Sequence, residues 1–267
     1  MIKPTFSLHH GDCIEVMRSL PAESVDTIIT SPPYAEQRKS TYGGIRESDY
    51  PTWTVAWMAE AWRIVKPGGS VLINIRPHVR GGQISDFTLR TRLALREDGW
   101  FEIDELIWHK TSSMPTFPYT RPRRAWESIH WFAKAKDPYA DPKANGQPSK
   151  RIGRPDKARA EREGWDHIRL APSTELREGV ARSTDVASFS VGDGDSKGWA
   201  HPAKFPPSLA EWLGRLTCPP GGTILDPFNG SGSTGVAAIR NGWDYIGIDS
   251  VEEYIHMSRK RLEGEVA

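Results

Sequence analysis

Residues 223–235, with the sequence TILDPFNGSGSTG, decide the fold of this 267-residue chain. A short apolar run, typical of a buried strand, leads into a glycine-rich turn and then into a predicted helix over residues 235–241. Glycine lets the backbone approach a ligand closely, and the first turn of a helix has N–H groups that no helical carbonyl accepts. We therefore predict a strand–turn–helix unit with a ligand at its turn. The alternative is a turn of the same kind that binds nothing.

The spacing of the glycines limits the class of ligand. It differs from the G-x-G-x-x-G pattern of dinucleotide-binding turns, and the Gly-Lys-Ser/Thr of a phosphate-binding loop is missing. A nucleoside or an amino acid therefore suits this turn better than a triphosphate. Asp249 follows Gly235 by fourteen residues, at the predicted tip of the next strand. A carboxylate at that place can bind both hydroxyl groups of a ribose.

A second predicted strand end carries the tetrad Ser31-Pro32-Pro33-Tyr34. The β-branched run 25–29 predicts a strand, and the two prolines stop it, fix the backbone and remove two N–H donors. Carbonyl oxygens, the Ser31 hydroxyl and the Tyr34 ring remain. Such a site can accept hydrogen bonds from an amino group and can stack on a flat base. Taken alone, the tetrad is also compatible with a rigid turn that only ends a strand.

Strands alternate with helices on both sides of these two motifs. This alternation predicts an α/β fold with a parallel sheet that helices cover on both faces. Residues 50–66 form a predicted amphipathic helix that the Lys-Pro-Gly-Gly of residues 66–69 closes, and a strand follows over 70–75. The other predicted strands are 6–8, 101–110, 126–133 and 245–249, and the other predicted helices are 12–20, 84–98, 208–216 and 252–262.

Between residues 111 and 200 the periodicity weakens and Pro, Arg, Lys, Ser and Gly dominate. We predict an irregular insertion there, between the segments 1–110 and 201–267. The whole chain has a net charge of only +1, yet residues 110–169 contain 14 Lys and Arg against 7 Asp and Glu. This imbalance predicts a face that binds a polyanion, with a solvated charged surface as the alternative.

The composition excludes several classes of protein. Cys13 and Cys218 have no metal-ligand spacing, so neither a zinc site nor a disulfide framework is expected. No run of 18 apolar residues predicts a membrane span, and the first residues lack the apolar segment of a secretory signal. We expect a cytoplasmic protein.

Together, the two motifs resemble those of the amino-methyltransferase family that modifies DNA. Ser31-Pro32-Pro33-Tyr34 resembles its catalytic motif, and Asp226-Pro227-Phe228 with Gly230 and Gly232 resembles its cofactor motif. The order of the motifs is similar to that of the permuted β class. Residues 9–13, 201–206 and 247–254 resemble three further elements of the family. The cofactor-binding residues that the resemblance implies are Asp12, Cys13, His201, Pro202, Lys204, Phe205, Asp226, Pro227, Phe228, Gly230, Ser231, Gly232 and Asp249.

The resemblance implies a Rossmann-like methyltransferase fold with a mostly parallel, seven-stranded sheet. It also implies transfer of a methyl group from S-adenosylmethionine to the exocyclic amino group of a base flipped out of duplex DNA. Segments 1–110, 111–200 and 201–267 would then be the catalytic half, the target-recognition insertion and the cofactor half. Both motifs can act in one site only if their strand ends lie side by side.

Residues that would contact DNA follow the tetrad and lie in the insertion, where cations alternate with the rings of Tyr119 and Trp126. They are Gln37, Arg38, Lys39, Tyr42, Arg121, Arg123 and Arg124. The alternative for each arginine is a phosphate contact that reads no sequence. Arg76, His78 and Arg80 follow a predicted strand and would face DNA or a partner subunit.

Serine at the first tetrad position is common in the family's cytosine-N4 enzymes, so cytosine N4 is favoured slightly over adenine N6. Methylation of cytosine carbon 5 is excluded, since it needs a cysteine that follows proline, and neither cysteine does. An RNA or protein amide methyltransferase, a nucleotide-dependent enzyme of Rossmann type and an inactive DNA-binding protein stay open as different functions. By resemblance, a homodimer, a cognate restriction endonuclease and association with the nucleoid are expected.

Overall fold

The apolar runs of the sequence form strands in a computed structural model that describes residues 3–36, 44–112, 121–148, 179–191 and 206–266. In chain order the strands are β1 (Phe6–His10), β2 (Val25–Thr30), β3 (Val65–Ile75), β4 (Val79–Arg80), β5 (Gln83–Ile84), β6 (Phe101–Lys110), β7 (Trp126–Ala133), β8 (Gln147–Pro148), β9 (Val180–Ala181), β10 (Val186–Phe189), β11 (Thr223–Asp226) and β12 (Asp244–Asp249). The helices are α1 (Cys13–Ser19), α2 (Tyr50–Ile64), α3 (Phe87–Glu97), α4 (Pro207–Thr217), α5 (Ser233–Arg240) and α6 (Glu252–Val266).

A mixed sheet has the strand order β1-β12-β11-β2-β3-β7-β6-β10. The five strands from β1 to β3 in this order pair in parallel, and so do β10 and β6. Strand β7 is antiparallel to its two neighbours. The prediction of a mostly parallel α/β sheet is thus confirmed. The predicted number of strands was wrong: eight strands pair within the described residues, because residues 186–189 extend the sheet beyond β6 instead of lying in the irregular insertion.

Helices cover the sheet on both faces, as predicted. On one face, α1, α2 and α3 bury side chains such as Met17, Trp57 and Phe87 in one apolar cluster. On the other face, α4, α5 and α6 bury Leu213, Val236 and Leu262 among a second cluster. Burying both faces of a parallel sheet in this way gives the chain its two apolar layers.

Residues 66–69, which the sequence predicts to be a turn that closes α2, form part of a strand instead. Residues 66–69 belong to β3, which begins directly at Val65. The ladder with β2 shifts its register there, since Val25 pairs with Val65 but Thr27 pairs with Ser70. A side chain at Gly69 would overlap the Asp26 carbonyl oxygen, so glycine permits the close approach of the two strands. The four residues therefore form an irregularity within the strand.

The residues of the predicted insertion, 111–200, divide between two compact units. Two compact units are present, one of residues 1–140 with 185–267 and one of residues 141–184. Strands β7 and β10, both inside the predicted insertion, belong to the first unit. In the described part of the second unit, β8 pairs with β9. None of the described helices has both the length and the apolar composition that crossing a bilayer requires.

Candidate active site

The two motif-bearing strand ends lie side by side. Strand β2 pairs in parallel with β11, and Ile28 stands opposite Leu225. At the ends of these strands, the Thr30 hydroxyl donates a hydrogen bond of 2.7 Å to Asp226 Oδ1. Because Ser31 follows Thr30 and the glycine-rich turn follows Asp226, the tetrad and the turn share one edge of the sheet. This is the arrangement that a common site requires.

Asp226 supports the glycine-rich turn from within the protein. Its carboxylate is only 1% exposed. It accepts hydrogen bonds from the Thr30 hydroxyl, the Phe228 backbone N–H (3.1 Å) and the Thr234 hydroxyl (2.8 Å). Burial raises the pKa of Asp226 from 3.8 to about 6. The side chain thus joins β2, the turn and α5.

A second layer of polar side chains holds the turn from the side of β12 and α6. Asn229 Oδ1 accepts hydrogen bonds from the Tyr245 hydroxyl (2.7 Å) and the Ser258 hydroxyl (3.3 Å). An Arg261 N–H donates to the Ser231 carbonyl oxygen at 3.1 Å. These contacts were not predicted from the sequence, because Ser258 and Arg261 lie on a helix whose pattern predicts only an amphipathic element. The only signal in the sequence was that Ser258, a polar residue, falls on the same face of this helix as the apolar Ile255 and Leu262.

Asp249 lies beside the same turn, at the end of β12. One carboxylate oxygen accepts the Gly230 N–H at 2.7 Å, and the other accepts the Val251 N–H at 2.9 Å. Burial raises the pKa of Asp249 above its usual value. Each oxygen keeps a second lone pair, so the carboxylate can still accept hydrogen bonds from two hydroxyl groups of a ligand.

Asp12 and Cys13 follow β1, the strand on the other side of β12. His10 pairs with Asp249, and the Gly11 N–H donates to the Asp249 carbonyl oxygen, so this strand end joins the same edge. The exposed Asp12 accepts the Ile14 N–H and caps α1. Burial raises the pKa of the Cys13 thiol to about 12, which keeps it neutral. Cys13 therefore packs as a neutral thiol in the apolar cluster that α1, α2 and α3 share.

The tetrad is held by hydrogen bonds from several elements. The Tyr50 hydroxyl, on α2, donates to the Pro33 carbonyl oxygen at 2.9 Å. The Tyr34 hydroxyl, which belongs to the tetrad itself, donates to Glu127 Oε2 at 2.9 Å. Burial, and after it the charge of Glu127, raises the pKa of Tyr34 well above its usual value. The phenol is therefore neutral and fixed in place.

Glu127, on β7, is the centre of a buried polar cluster that was not predicted from the sequence. It is 7% exposed. Besides Tyr34, it accepts hydrogen bonds from Asn74 Nδ2, on β3, at 2.9 Å and from the Lys110 ammonium group, on β6. Burial acts to raise the pKa of Glu127, but the charge of Lys110 and these hydrogen bonds bring it below the usual value. A buried carboxylate that stays ionised thus stands directly behind the tetrad.

Comparison with known proteins assigns the family. A family model for N6/N4 DNA methylases matches residues 25–260. The chain belongs to this DNA methylase family. The prediction of a DNA amino-methyltransferase, made from the resemblance of the two motifs, is thereby confirmed.

Related proteins match over nearly the whole of this DNA methylase. The type II methyltransferase M.PvuII of Proteus hauseri is 26% identical over 279 residues, which cover 96% of this chain and 83% of that protein. The solved structure of the cytosine-N4-specific PvuII DNA methyltransferase matches with a TM-score of 0.75 at 22% identity, covering 99% of this chain and 92% of that one. A structure of the M1.HpyAVI–SAM complex matches with a TM-score of 0.63 at 23% identity, covering 97% and 99% of the two chains. The Rossmann-like fold prediction is confirmed by these matches.

A cluster of arginines lies at the rim of the methylase's tetrad. Arg76, directly after β3, donates to the Arg124 carbonyl oxygen at 3.3 Å and to the Trp126 carbonyl oxygen at 3.4 Å. Burial, and after it the charges of Arg76 and Arg121, lower the pKa of Arg124, although Glu127 and Tyr34 counteract them. Trp126 is half exposed beside them. We call Arg76, Arg121 and Arg124 the basic rim.

Arg80 and His78, whose contact with DNA or a partner stays a prediction, each pair with an acidic residue of the same chain. Arg80 pairs with Glu36, and His78 pairs with Glu47. Glu36 lies two residues after the tetrad and Glu47 lies shortly before α2, so these two pairs link both places to the neighbourhood of the hairpin of β4 and β5. Arg121 is attached to the same hairpin, since it donates to the Gly82 carbonyl oxygen.

Several predicted site residues lie outside the described part of the chain. Among the predicted DNA contacts, Arg121, Arg123 and Arg124 are described, and the first two are exposed. The predicted residues outside the described ranges are Gln37, Arg38, Lys39, Tyr42, His201, Pro202, Lys204 and Phe205, together with the ring of Tyr119.

Proposed function

We propose that this DNA methylase transfers a methyl group from S-adenosylmethionine to the exocyclic amino nitrogen of a base flipped out of duplex DNA, with cytosine N4 as the favoured target. The observation that carries the proposal is the hydrogen bond of 2.7 Å between Thr30 and Asp226. It joins the strand end that would accept an amino group to the strand end that would bind a nucleoside.

The glycine-rich edge suits S-adenosylmethionine by its chemistry. Gly230 and Gly232 have φ angles of 51° and 77°, which turn the chain sharply and leave no side chain over the turn. Asp249 offers carboxylate lone pairs to a ribose, and Asp12 stands at the next strand end. When bound, S-adenosylmethionine supplies an electrophilic methyl group on a sulfonium sulfur.

The tetrad would make the amino nitrogen more nucleophilic. The lone pair of an amino group on a base is delocalised into the ring. Ser31 Oγ and the Pro32 carbonyl oxygen would accept the two amino hydrogens, which favours tetrahedral geometry at nitrogen and frees the lone pair. Tyr34, which is half-buried, would stack on the base. These groups position and polarise the substrate and supply no covalent intermediate.

Contacts with DNA would offset the cost of flipping the base. Unstacking and unpairing cost about a few kcal/mol. The basic rim lies beside the tetrad, where phosphate contacts would hold the DNA that flanks the flipped nucleotide. We further propose that the segment 111–200 contains the residues that recognise the target sequence, as the resemblance implies.

Ser31 supports cytosine N4 as the target, as does the fold shared with a methyltransferase named as cytosine-N4-specific. The alternative target, adenine N6, offers the same amino chemistry to the same acceptors. Pairing with a second copy of the chain, a cognate restriction endonuclease and association with the nucleoid stay predictions.

Transfer of a tritiated methyl group to duplex DNA, RNA and protein tests the proposal. We expect label in DNA alone, and mass spectrometry of the digested DNA should show N4-methylcytosine. N6-methyladenine would overturn the choice of base, and absence of label in DNA would overturn the proposal.

Substitution of the tetrad tests its role separately. Ser31→Ala and Tyr34→Ala should lower the rate of methyl transfer about 100-fold or more, since each removes a group that positions the amino nitrogen. Ser19→Ala, which removes an exposed hydroxyl bonded to the Val16 carbonyl oxygen on α1, is the matched control and should keep the wild-type rate. A Ser31→Ala protein with full activity would contradict the assigned role.

A further inference from the structure

A residue from outside the tetrad holds the carbonyl oxygen of Pro33. The Tyr50 hydroxyl, at the start of α2, donates a hydrogen bond of 2.9 Å to this oxygen. Tyr50 is only 1% exposed, and burial raises the pKa of its phenol well above the usual value, so the hydroxyl keeps its proton and stays a donor. The proposed function gives roles to Ser31, Pro32 and Tyr34, but it gives none to Tyr50.

Aromatic neighbours hold the Tyr50 ring in place. Its centroid lies 5.2 Å from the ring of Trp53 and 4.9 Å from the ring of Phe87, at interplanar angles of 54° and 71°. Trp53 in turn lies 5.5 Å from the ring of Phe228, in the glycine-rich turn. A buried ring packed on two sides has few other positions open to it, so its hydroxyl points in one direction.

The two prolines make the backbone of the tetrad depend on this hydrogen bond. Neither Pro32 nor Pro33 has an N–H, so neither residue can anchor the chain by donating a hydrogen bond. Side chains of α2 and α3, among them Tyr50 and Leu95, line a small cavity beside Pro32. Packing therefore leaves room next to the Pro32 ring, and a directional bond is needed to fix the chain at this point.

One backbone torsion connects the Pro33 carbonyl to the carbonyl that would bind the substrate. The ring of Pro33 fixes φ of this residue at about −65°, and peptide groups are planar. The Pro32 and Pro33 carbonyl groups are therefore related by ψ of Pro33 alone. Strand β2 holds the chain before Pro32, and Tyr50 holds it after Pro33, so the torsion between them is restricted.

We propose that Tyr50 is a positioning residue that, acting through the Pro33 carbonyl, keeps the Pro32 carbonyl oxygen directed toward the amino group of the substrate. The inference rests on the proposed function, since it concerns the same amino group. Tyr50 itself need not touch the substrate. Without its hydroxyl the tetrad would still be present, but the acceptor would be less well aligned, which slows methyl transfer more than it weakens binding.

Single-turnover methylation of duplex DNA by purified full-length variants, at saturating DNA and S-adenosylmethionine, tests the proposal. Tyr50→Phe should lower the rate of methyl transfer about 3- to 10-fold, the equivalent of one neutral hydrogen bond, and should leave the Kd values for DNA and S-adenosylmethionine at their wild-type values. Thr217→Val is the matched control. It removes a buried hydroxyl that donates to the Leu213 carbonyl oxygen on α4, so it should lower stability toward urea but keep the wild-type rate.

Two unnatural side chains at position 50 separate hydrogen bonding from packing. Replacing Tyr50 with 4-fluorophenylalanine fills the place of the oxygen without a donor, so this variant should be as slow as Tyr50→Phe. Replacing it with 4-aminophenylalanine restores an N–H donor, so the rate should return close to the wild-type value. This pair decides the question even if Tyr50→Phe fails to fold, as judged by far-UV circular dichroism.

Either of two results would overturn the inference. One is a wild-type rate in Tyr50→Phe or in the 4-fluorophenylalanine variant, and the other is a 4-aminophenylalanine variant as slow as the fluorinated one. A wild-type protein that labels no DNA would refute the proposed function instead.

Discussion

Two buried carboxylates at this site show how one neighbour decides the charge of a side chain. Asp226 receives hydrogen bonds from two hydroxyls and one backbone N–H, and burial raises its pKa to about 6. Glu127 is also buried, but Lys110 lies against it and its pKa is lowered. Neutral donors do not compensate for the loss of water around Asp226, whereas a cation does so around Glu127. The two acids therefore have different structural roles. Asp226 links the ends of β2 and β11, and Glu127 accepts hydrogen bonds from Tyr34 and Asn74 behind the tetrad.

Asp226 should make the stability of the methylase depend on pH. Between about pH 4 and 6 the unfolded chain releases the Asp226 proton while the folded protein keeps it, because the folded pKa is raised. The free energy of unfolding should thus fall as the pH rises through this window. Asp226→Asn has no proton to lose, so relative to wild type it should gain roughly 1–3 kcal/mol between pH 4 and 7.

Urea unfolding at a series of pH values measures this difference. Asp98→Asn, which changes an exposed carboxylate after α3, is the control and should follow the wild-type profile. Parallel pH profiles for wild type and Asp226→Asn would contradict the raised pKa.

At the scale of elements, the start of α5 depends on how closely α6 packs against it. Gly232 precedes α5 with a φ angle of 77°, and a side chain there would overlap Ser258 Oγ on α6. The same contact region includes Asn229, which bonds both Ser258 and Tyr245. The turn between β11 and α5 is therefore shaped by two further elements, and its glycine is required by both conformation and space.

Gly232→Ala should destabilise the methylase by more than the cost of its backbone conformation. Gly242 provides a matched control, since it has the same φ angle of 77° and nothing described lies within 4 Å of the place a side chain would take. Gly242→Ala should cost about 1 kcal/mol from the left-handed conformation alone. Gly232→Ala should cost about 1–3 kcal/mol more because of the overlap with Ser258, and it should also weaken binding of S-adenosylmethionine.

Chemical unfolding and isothermal titration calorimetry give the two readouts. Adding Ser258→Ala should recover part of the stability that Gly232→Ala removes, since it deletes the overlapping oxygen. Equal costs at the two glycines would show that crowding by α6 is unimportant.

At the scale of the whole molecule, the charge available to DNA differs from the charge counted along the chain. Lys110 and Lys134 belong to the basic stretch of residues 110–169. Yet Lys110 pairs with the buried Glu127, and Lys134 donates to the Val65 carbonyl oxygen and lies over the Trp62 ring. The basic rim instead combines Arg76, from outside that stretch, with Arg121 and Arg124. Folding thus concentrates positive charge beside the tetrad although the net charge of the chain is only +1.

Neutralising the basic rim should weaken DNA binding in a salt-dependent way. Removing one phosphate–arginine interaction should reduce the slope of log K against log salt by about 0.9 in magnitude. Arg121→Gln and Arg124→Gln are each expected to show this change, measured by fluorescence anisotropy of labelled duplex DNA across a range of salt concentrations. Arg215→Gln, which removes a cation paired with Glu211 on α4, should keep the wild-type slope. Unchanged slopes for both rim variants would place the DNA elsewhere.

Local patterns alone sufficed for the fold class and for the family. Residues 223–235 and the tetrad each combine residue types that few other turns need, so each motif indicates its function. The spacing of apolar residues and the positions of proline and glycine predict the helices to within a few residues. Even the need for adjacent strand ends followed from the chemistry. The eighth strand was missed, because residues 186–189 are a short run within an irregular segment and become a strand only by pairing with β6.

Folding decided everything that joins distant residues. Glu127, Asn74 and Lys110 look like unremarkable strand positions in sequence, and only the antiparallel insertion of β7 between β3 and β6 brings them together behind Tyr34. The partners of Asp226 and the composition of the basic rim are likewise set by strand order. Hydrogen bonds and charge interactions act over a few ångströms of space, and separation along the chain carries no information about them until the sheet has formed.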